Sequence, residues 1–166
     1  KEIKGAEIMI VLDVSNSMLA EDYSPNRLER AKLAISKLVD ELQGDRIGLI
    51  IFAGQSFVQL PITSDYVSAK IFLNSITNES VPVQGTALGE AIHTALRSFT
   101  SESENSRAVI LITDGENHED DPVSAAKDAL SVGARVFCVG VGSFEGKPIP
   151  MNGELLKDQD GNIVVT

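Results

Sequence analysis

The chain has 166 residues, 43% of them hydrophobic and 23% charged, and its 24 acidic and 14 basic side chains give a formal net charge of −10. That length suits one domain spanning residues 1–166 with a real core, and the composition excludes a disordered or fibrous chain. The acidic balance repels phosphate backbones, so nucleic acid is not an expected partner, and most of the charge serves solubility.

In chain order, residues 7–12 (EIMIVL) read as a strand buried on both faces. A helix is expected from Pro25 or Asn26 to about Gln43, with Leu28, Ala31, Ile35, Leu38, Val39 and Leu42 on one stripe and Gly44 just past its end. Residues 46–52 (RIGLIIF) form a second strand, and Ala53-Gly54-Gln55 turns it into a hairpin arm over 56–60. Thr63-Ser64-Asp65 offers cap residues for a short helix over about 66–75. Residues 77–85 read as a loop, and Thr86 opens a helix to about Phe99. Residues 108–112 are a third apolar strand, Asp121-Pro122 starts a helix ending near Gly133, and residues 135–141 are a further strand. From Ser143 the Gly, Pro and Asn residues, through Asp160-Gly161-Asn162, predict a surface hairpin.

Strands alternating with helices imply an α/β fold: a mostly parallel sheet covered on both faces, with the hairpin arm as one antiparallel edge strand. Cys138 is the sole cysteine, so no internal disulfide forms; within Val136-Phe137-Cys138-Val139 it is expected as a buried, inert thiol. No apolar stretch approaches the roughly 20 residues that span a bilayer. Lys1-Glu2-Ile3-Lys4 leads directly into a strand and does not read as a signal peptide.

Ligands of such sheets bind beyond the carboxyl ends of the strands, where strand order reverses. Oxygen-bearing side chains gather in three segments there: Asp13-Val14-Ser15-Asn16-Ser17-Met18, Gln84-Gly85-Thr86 and Thr113-Asp114-Gly115-Glu116. A hard cation such as Mg²⁺ takes about six oxygens. Ser15, Ser17 and Thr86 would supply neutral hydroxyls, and Asp13 and Asp114 negative charge, directly or through water. With only two carboxylates the metal stays under-neutralised and open to a carboxylate from another molecule. Each piece alone has a plainer reading. Asp13, Ser15, Ser17 and Thr86 are ordinary helix caps, and Asp114-Gly115 an ordinary turn. Glu116, His118, Glu119, Asp120 and Asp121 read as a solvated acidic loop facing a helix N-terminus, and His93 as a packed or surface residue.

Catalysis finds little support. No P-loop is present, and Val139-Gly140-Val141-Gly142 lacks the third glycine and following helix of a dinucleotide site. Asp13 is followed by hydroxyl residues rather than by the further acidic ligands and the lysine of a Mg²⁺-dependent phosphoryl-transfer enzyme, which stays the weaker alternative beside a scaffold with a closed metal site.

At these residues the chain resembles a von Willebrand factor type A (VWA) domain, whose metal-ion-dependent adhesion site (MIDAS) uses D-x-S-x-S, a later Thr and a later Asp. The matching residues are Asp13, Ser15 and Ser17 with Met18 following, then Thr86 and Asp114. The resemblance implies a three-layer Rossmann-like fold, with direct coordination by Ser15, Ser17 and Thr86. Asp13 and Asp114 would act mainly through water, and a partner's Glu or Asp would take the last position. Mg²⁺ is the implied metal, with Mn²⁺ or Ca²⁺ as substitutes, and the loops around Asn16, Met18, Gly85, Gly115 and Glu116 would meet the partner. The phrases DVSNSMLAEDYSPNRLERAK, DRIGLIIFAG, LPITSDY, GTALGEAI, LITDGENHED and GKPIP…DGNIVV resemble the bacterial aerotolerance (Bat) branch over essentially the whole chain. This implies a stress-related protein anchored in the inner membrane by helices outside this chain, on the periplasmic side by preference. The implied partners are a MoxR-type AAA+ ATPase or other Bat proteins, not a small-molecule substrate. Family domains continue with a helix, a sixth strand and a closing helix that this sequence does not contain.

Overall fold

A computed structural model of the protein describes residues 5–100, 106–115, 120–142, 150–151, 154–155 and 162. Strand β1 (Glu7–Asp13) lies at the centre of a five-stranded sheet, parallel to β2 (Arg46–Phe52) on one side and to β4 (Arg107–Thr113) on the other. Outside β2 runs the antiparallel β3 (Ser56–Thr63), and outside β4 the parallel β5 (Ala134–Gly140), so the order is β3-β2-β1-β4-β5. β3 extends past the expected end and takes in Pro61, which an edge strand tolerates because one side of its backbone needs no ladder bond.

Among the described residues, four helices cover the sheet: α1 (Arg27–Glu41), α2 (Tyr66–Asn74), α3 (Leu88–Ser98) and α4 (Pro122–Ser131). Alternation along β1 divides its side chains between two apolar layers. Ile10 and Leu12 pack with Leu28, Ile35 and Val39 of α1 and Leu73 of α2. Met9 and Val11 pack with Leu88 and Ile92 of α3 and Ala125 of α4. Helices on both faces of a mostly parallel sheet, with one antiparallel edge pair, make the three-layer Rossmann-like arrangement expected from the sequence. The short antiparallel pair β6 (Pro150–Met151) and β7 (Glu154–Leu155) lies within the segment read as a hairpin, whereas Asp160 and Gly161 fall outside the described residues.

Cys138 is a correction. It is exposed, as are Phe137 at 52% and Val139 at 47%. β5 is the outermost strand on its side of the sheet. An apolar run signals double burial only where both faces are covered, and periodicity carries no information about the cover.

Because β1 is followed in space by β2 on one side and β4 on the other, strand order reverses between β1 and β4. The crevice at their carboxyl ends is where Asp13 and Asp114 emerge.

Candidate metal centre

Asp13 closes β1 and is completely buried. Its Oδ1 accepts the Ser15 backbone N–H at 2.8 Å and its Oδ2 accepts the Thr113 hydroxyl at 2.8 Å. The first bond spans two residues and turns the chain sharply at the strand end. A single 3-10 turn (Asn16–Leu19) follows, and its Met18 is driven into the core at 0% exposure. The Met18 side chain thus anchors from below the loop that was expected to meet a partner. Above it, the buried Ser15 and Ser17 place their hydroxyls 3.0 Å apart. Ser15 stands at the N-cap position of the turn without a side-chain cap bond, so the capping explanation fails for it.

Thr86 reaches the same edge through backbone pinning. Gly54 N–H donates to the Val83 carbonyl at 2.9 Å, and Ala87 N–H donates to the Ala53 carbonyl at 2.8 Å, clamping the segment between them onto the turn after β2. A Cβ at Gly54 would lie 2.5 Å from the Gln84 carbonyl oxygen, so this close crossing requires glycine. Asn16 N–H in turn donates to Gln84 Oε1 at 3.2 Å, tying the serine loop to the threonine loop.

Thr86 does not cap its helix, contrary to the plainer reading. The N-cap position of α3 is Ala87, with no side-chain cap bond. The first-turn N–H groups of Gly89 and Glu90 donate instead to Asp120, at 2.8 and 2.7 Å. Part of the acidic loop thus feeds helix N-termini as expected, but two of them: Asp121 caps α4 through Ser124 N–H at 3.1 Å, while Asp120 reaches across to α3. Glu116, His118 and Glu119 lie outside the described residues. His93 sits against Asp128 at 2.9 Å.

Asp114 follows β4, and its side chain is 2% exposed. Arg27 Nη1 donates to Asp114 Oδ2 at 3.4 Å and to the Ser17 carbonyl at 3.4 Å. The Asp13 carboxyl is pushed up to about 6, first by burial and then by the negative charge of Asp114, against the lowering effect of the hydrogen bonds from Ser15 and Thr113. Glu7, equally buried at the opposite end of β1, has Arg46 at 3.0 Å. Asp13 instead faces a second carboxylate, an arrangement that a bound cation would relieve.

The donors at this edge are all hard oxygens, the chemistry that Mg²⁺ and Ca²⁺ accept. Among the described residues no three His, Cys, Asp or Glu side chains gather as a ligand group. A cation here would depend on the hydroxyls of Ser15, Ser17 and Thr86 beside Asp13 and Asp114. Around them, Gly85 and Gly115 take φ of 137° and 86°, conformations that favour glycine. Asn16 keeps its side-chain Oδ1 buried with no hydrogen-bond partner.

Sequence reasoning passed over Arg27 and Asp22, and it placed Asp120 in the acidic loop without naming α3 as the helix that it caps. One signal was legible: Arg27 shares the α1 stripe with Ala31 and Ile35 at helical spacing, an odd place for a charge, and at the positive end of a helix dipole.

Residues 8–116 match the von Willebrand factor type A domain. The solved structure of the conserved hypothetical protein BatB from Bacteroides thetaiotaomicron is 56% identical, with a TM-score of 0.94, over 97% of this chain and 80% of that one. An aerotolerance-related membrane protein from Bacteroides fragilis is 54% identical, with a TM-score of 0.94, over 97% of this chain and 81% of its own. An uncharacterized protein of Borreliella burgdorferi is 34% identical over 85% of this chain, which spans only 42% of that relative. The chain therefore belongs to the von Willebrand factor type A family and is closely related to the BatB-like aerotolerance proteins.

Proposed function

We propose that this domain is a metal-ion-dependent protein–protein interaction module without catalytic activity. Ser15, Ser17 and Thr86 would bind Mg²⁺ directly, Asp13 and Asp114 through water, and a partner's Asp or Glu would complete the shell. The observation that carries this reading is the pair of buried carboxylates, Asp13 and Asp114, on either side of the strand-order switch beside two hydroxyls 3.0 Å apart. Thr86 supports it, since the capping role that would explain it otherwise belongs to Asp120. In the whole protein the domain would be tethered to the inner membrane, facing the periplasm, by segments outside this chain. Among the described residues no helix is long and apolar enough to cross a membrane. A MoxR-type AAA+ ATPase or another Bat protein would be the partner presenting the acidic residue.

Calorimetric titration with Mg²⁺ and Mn²⁺ tests the centre: wild type binds, and Asp13→Ala and Asp114→Ala lose binding. Metal affinity unchanged in both variants sinks the assignment. Titration with a glutamate-containing peptide, with and without chelator, tests the open position. A metal-loaded domain that ignores the peptide is a closed scaffold instead.

A further inference from the structure

Arg27 is among the largest fully buried side chains of the protein, although its charge would ordinarily keep it at the surface. Its Nε and Nη2 donate to the two oxygens of Asp22, each at 2.9 Å, a two-pronged pair with a side chain that is itself 1% exposed. The remaining Nη1 makes the longer 3.4 Å contacts to Asp114 Oδ2 and to the Ser17 carbonyl. Gly142, after β5, closes the other side: a Cβ there would stand 3.1 Å from Nη2. One guanidinium thus joins the loops after β1, β4 and β5, with short bonds to Asp22 and a longer one to a carboxylate of the candidate metal centre.

We propose that Arg27 is an electrostatic counterweight to this centre, a positioning residue that competes with a divalent cation for Asp114, and that Asp22 sets how strongly it competes. The proposal rests on the reading of Asp13, Ser15, Ser17, Thr86 and Asp114 as a cation site. The chemistry is a charge balance. Asp13 and Asp114 attract a dication, Arg27 repels it and occupies part of Asp114, and Asp22 draws the guanidinium away and cancels its charge. Taking away the positive charge removes one competitor for Asp114. Taking away the charge of Asp22 leaves Arg27 less compensated and leaning more strongly on Asp114. The two partners of one ion pair therefore act on metal affinity in opposite directions, whereas a purely structural brace would lower it whichever partner were lost.

The test is the Mg²⁺ and Mn²⁺ dissociation constant by calorimetry, with thermal denaturation in chelator run in parallel. Arg27→Gln is expected to tighten binding, and Asp22→Asn to weaken it, each by roughly threefold to tenfold, the scale of one partly screened charge. Both variants lower the melting temperature in chelator, because each leaves a buried partner behind. Arg27→Lys, which keeps the charge and loses the fork, stays closer to wild type than Arg27→Gln. Should Arg27→Gln fail to fold, the double variant Asp22→Asn/Arg27→Gln removes both charges together. Its affinity is expected within about twofold of wild type, because the net charge beside the centre is unchanged. If wild type binds metal and both single variants weaken it together, or the double variant weakens it more than Asp22→Asn alone, the counterweight is wrong and the site reading stands. If wild type takes up neither ion, both fall.

Discussion

The Asp120 carboxylate, from the loop after β4, accepts the backbone N–H of Gly89 at the start of α3, 2.8 Å away. The two residues are 31 positions apart, and a Cβ on Gly89 would stand 3.0 Å from the carboxylate. This one contact caps a helix and joins the Thr86 segment to the Asp114 segment. Asp120→Ala is expected to destabilise the domain by about 1 kcal/mol, the usual value of a helix cap, and to weaken Mg²⁺ binding by loosening Thr86. Denaturant melts and calorimetry on one sample check both effects. A stability loss with unchanged metal affinity limits Asp120 to capping.

Thr86→Ala separates binding from capping. With Ala87 at the N-cap and Asp120 serving the helix N–H groups, loss of the Thr86 hydroxyl leaves the chelator-treated domain within about 0.5 kcal/mol of wild type. Mg²⁺ affinity falls by tenfold or more on the scale of one lost ligand contact (~1.4 kcal/mol). A variant that melts much earlier in chelator would show that the side chain holds the fold.

Gly54→Ala inserts a methyl 2.5 Å from the Gln84 carbonyl oxygen, on backbone that cannot step aside cheaply. The expected loss is of the order of 1–3 kcal/mol. The Thr86 segment is pushed off the edge of the sheet, and metal affinity falls with it. A well-folded variant with wild-type affinity would mean that the crossing is slack.

Asp13 makes the metal-free protein sensitive to pH. Its carboxyl is raised from 3.8 to about 6, so the folded domain holds this proton more tightly than the unfolded chain. Stability from this group therefore rises as pH falls through about 6 toward the unfolded value, and the ionised carboxylate costs the metal-free fold of the order of 1–3 kcal/mol at neutral pH. In chelator, Asp13→Asn is expected to melt above wild type at neutral pH, and the gap to close on acidification, while Mg²⁺ binding is lost at every pH. A gap that does not change with pH assigns the effect to something other than charge.

Asp65 gives the opposite sign at a site remote from the metal. Hydrogen bonds from the Ser68 hydroxyl and backbone N–H hold its carboxyl below the usual 3.8. Its contribution is present above the unfolded value and disappears as pH falls through the lower folded one. Asp65→Ala should lower the melting temperature at neutral pH, lose that difference in strong acid, and leave Mg²⁺ affinity alone. A change in affinity would mean that the α2 cap communicates with the centre.

Much of this protein was determined locally. The apolar runs of β1, β2 and β4 and the stripes of α1 and α3 are periodic, so burial could be read from spacing alone. Asp65 and Asp121 cap the helices that follow them, because a cap bond spans only three residues. The Asp13-Ser15-Ser17 loop was likewise legible, since its geometry arises within five residues of a strand end. Tertiary structure decided the rest. Asp120 caps a helix 31 residues away, Arg27 is buried because Asp22 and Asp114 close around it, and Cys138 is exposed because its strand is the outermost on one side. Each depends on which segments the strand order β3-β2-β1-β4-β5 brings together. Spacing along the chain reports which residues share a face, while the charge around a buried carboxylate is set by neighbours far away in sequence.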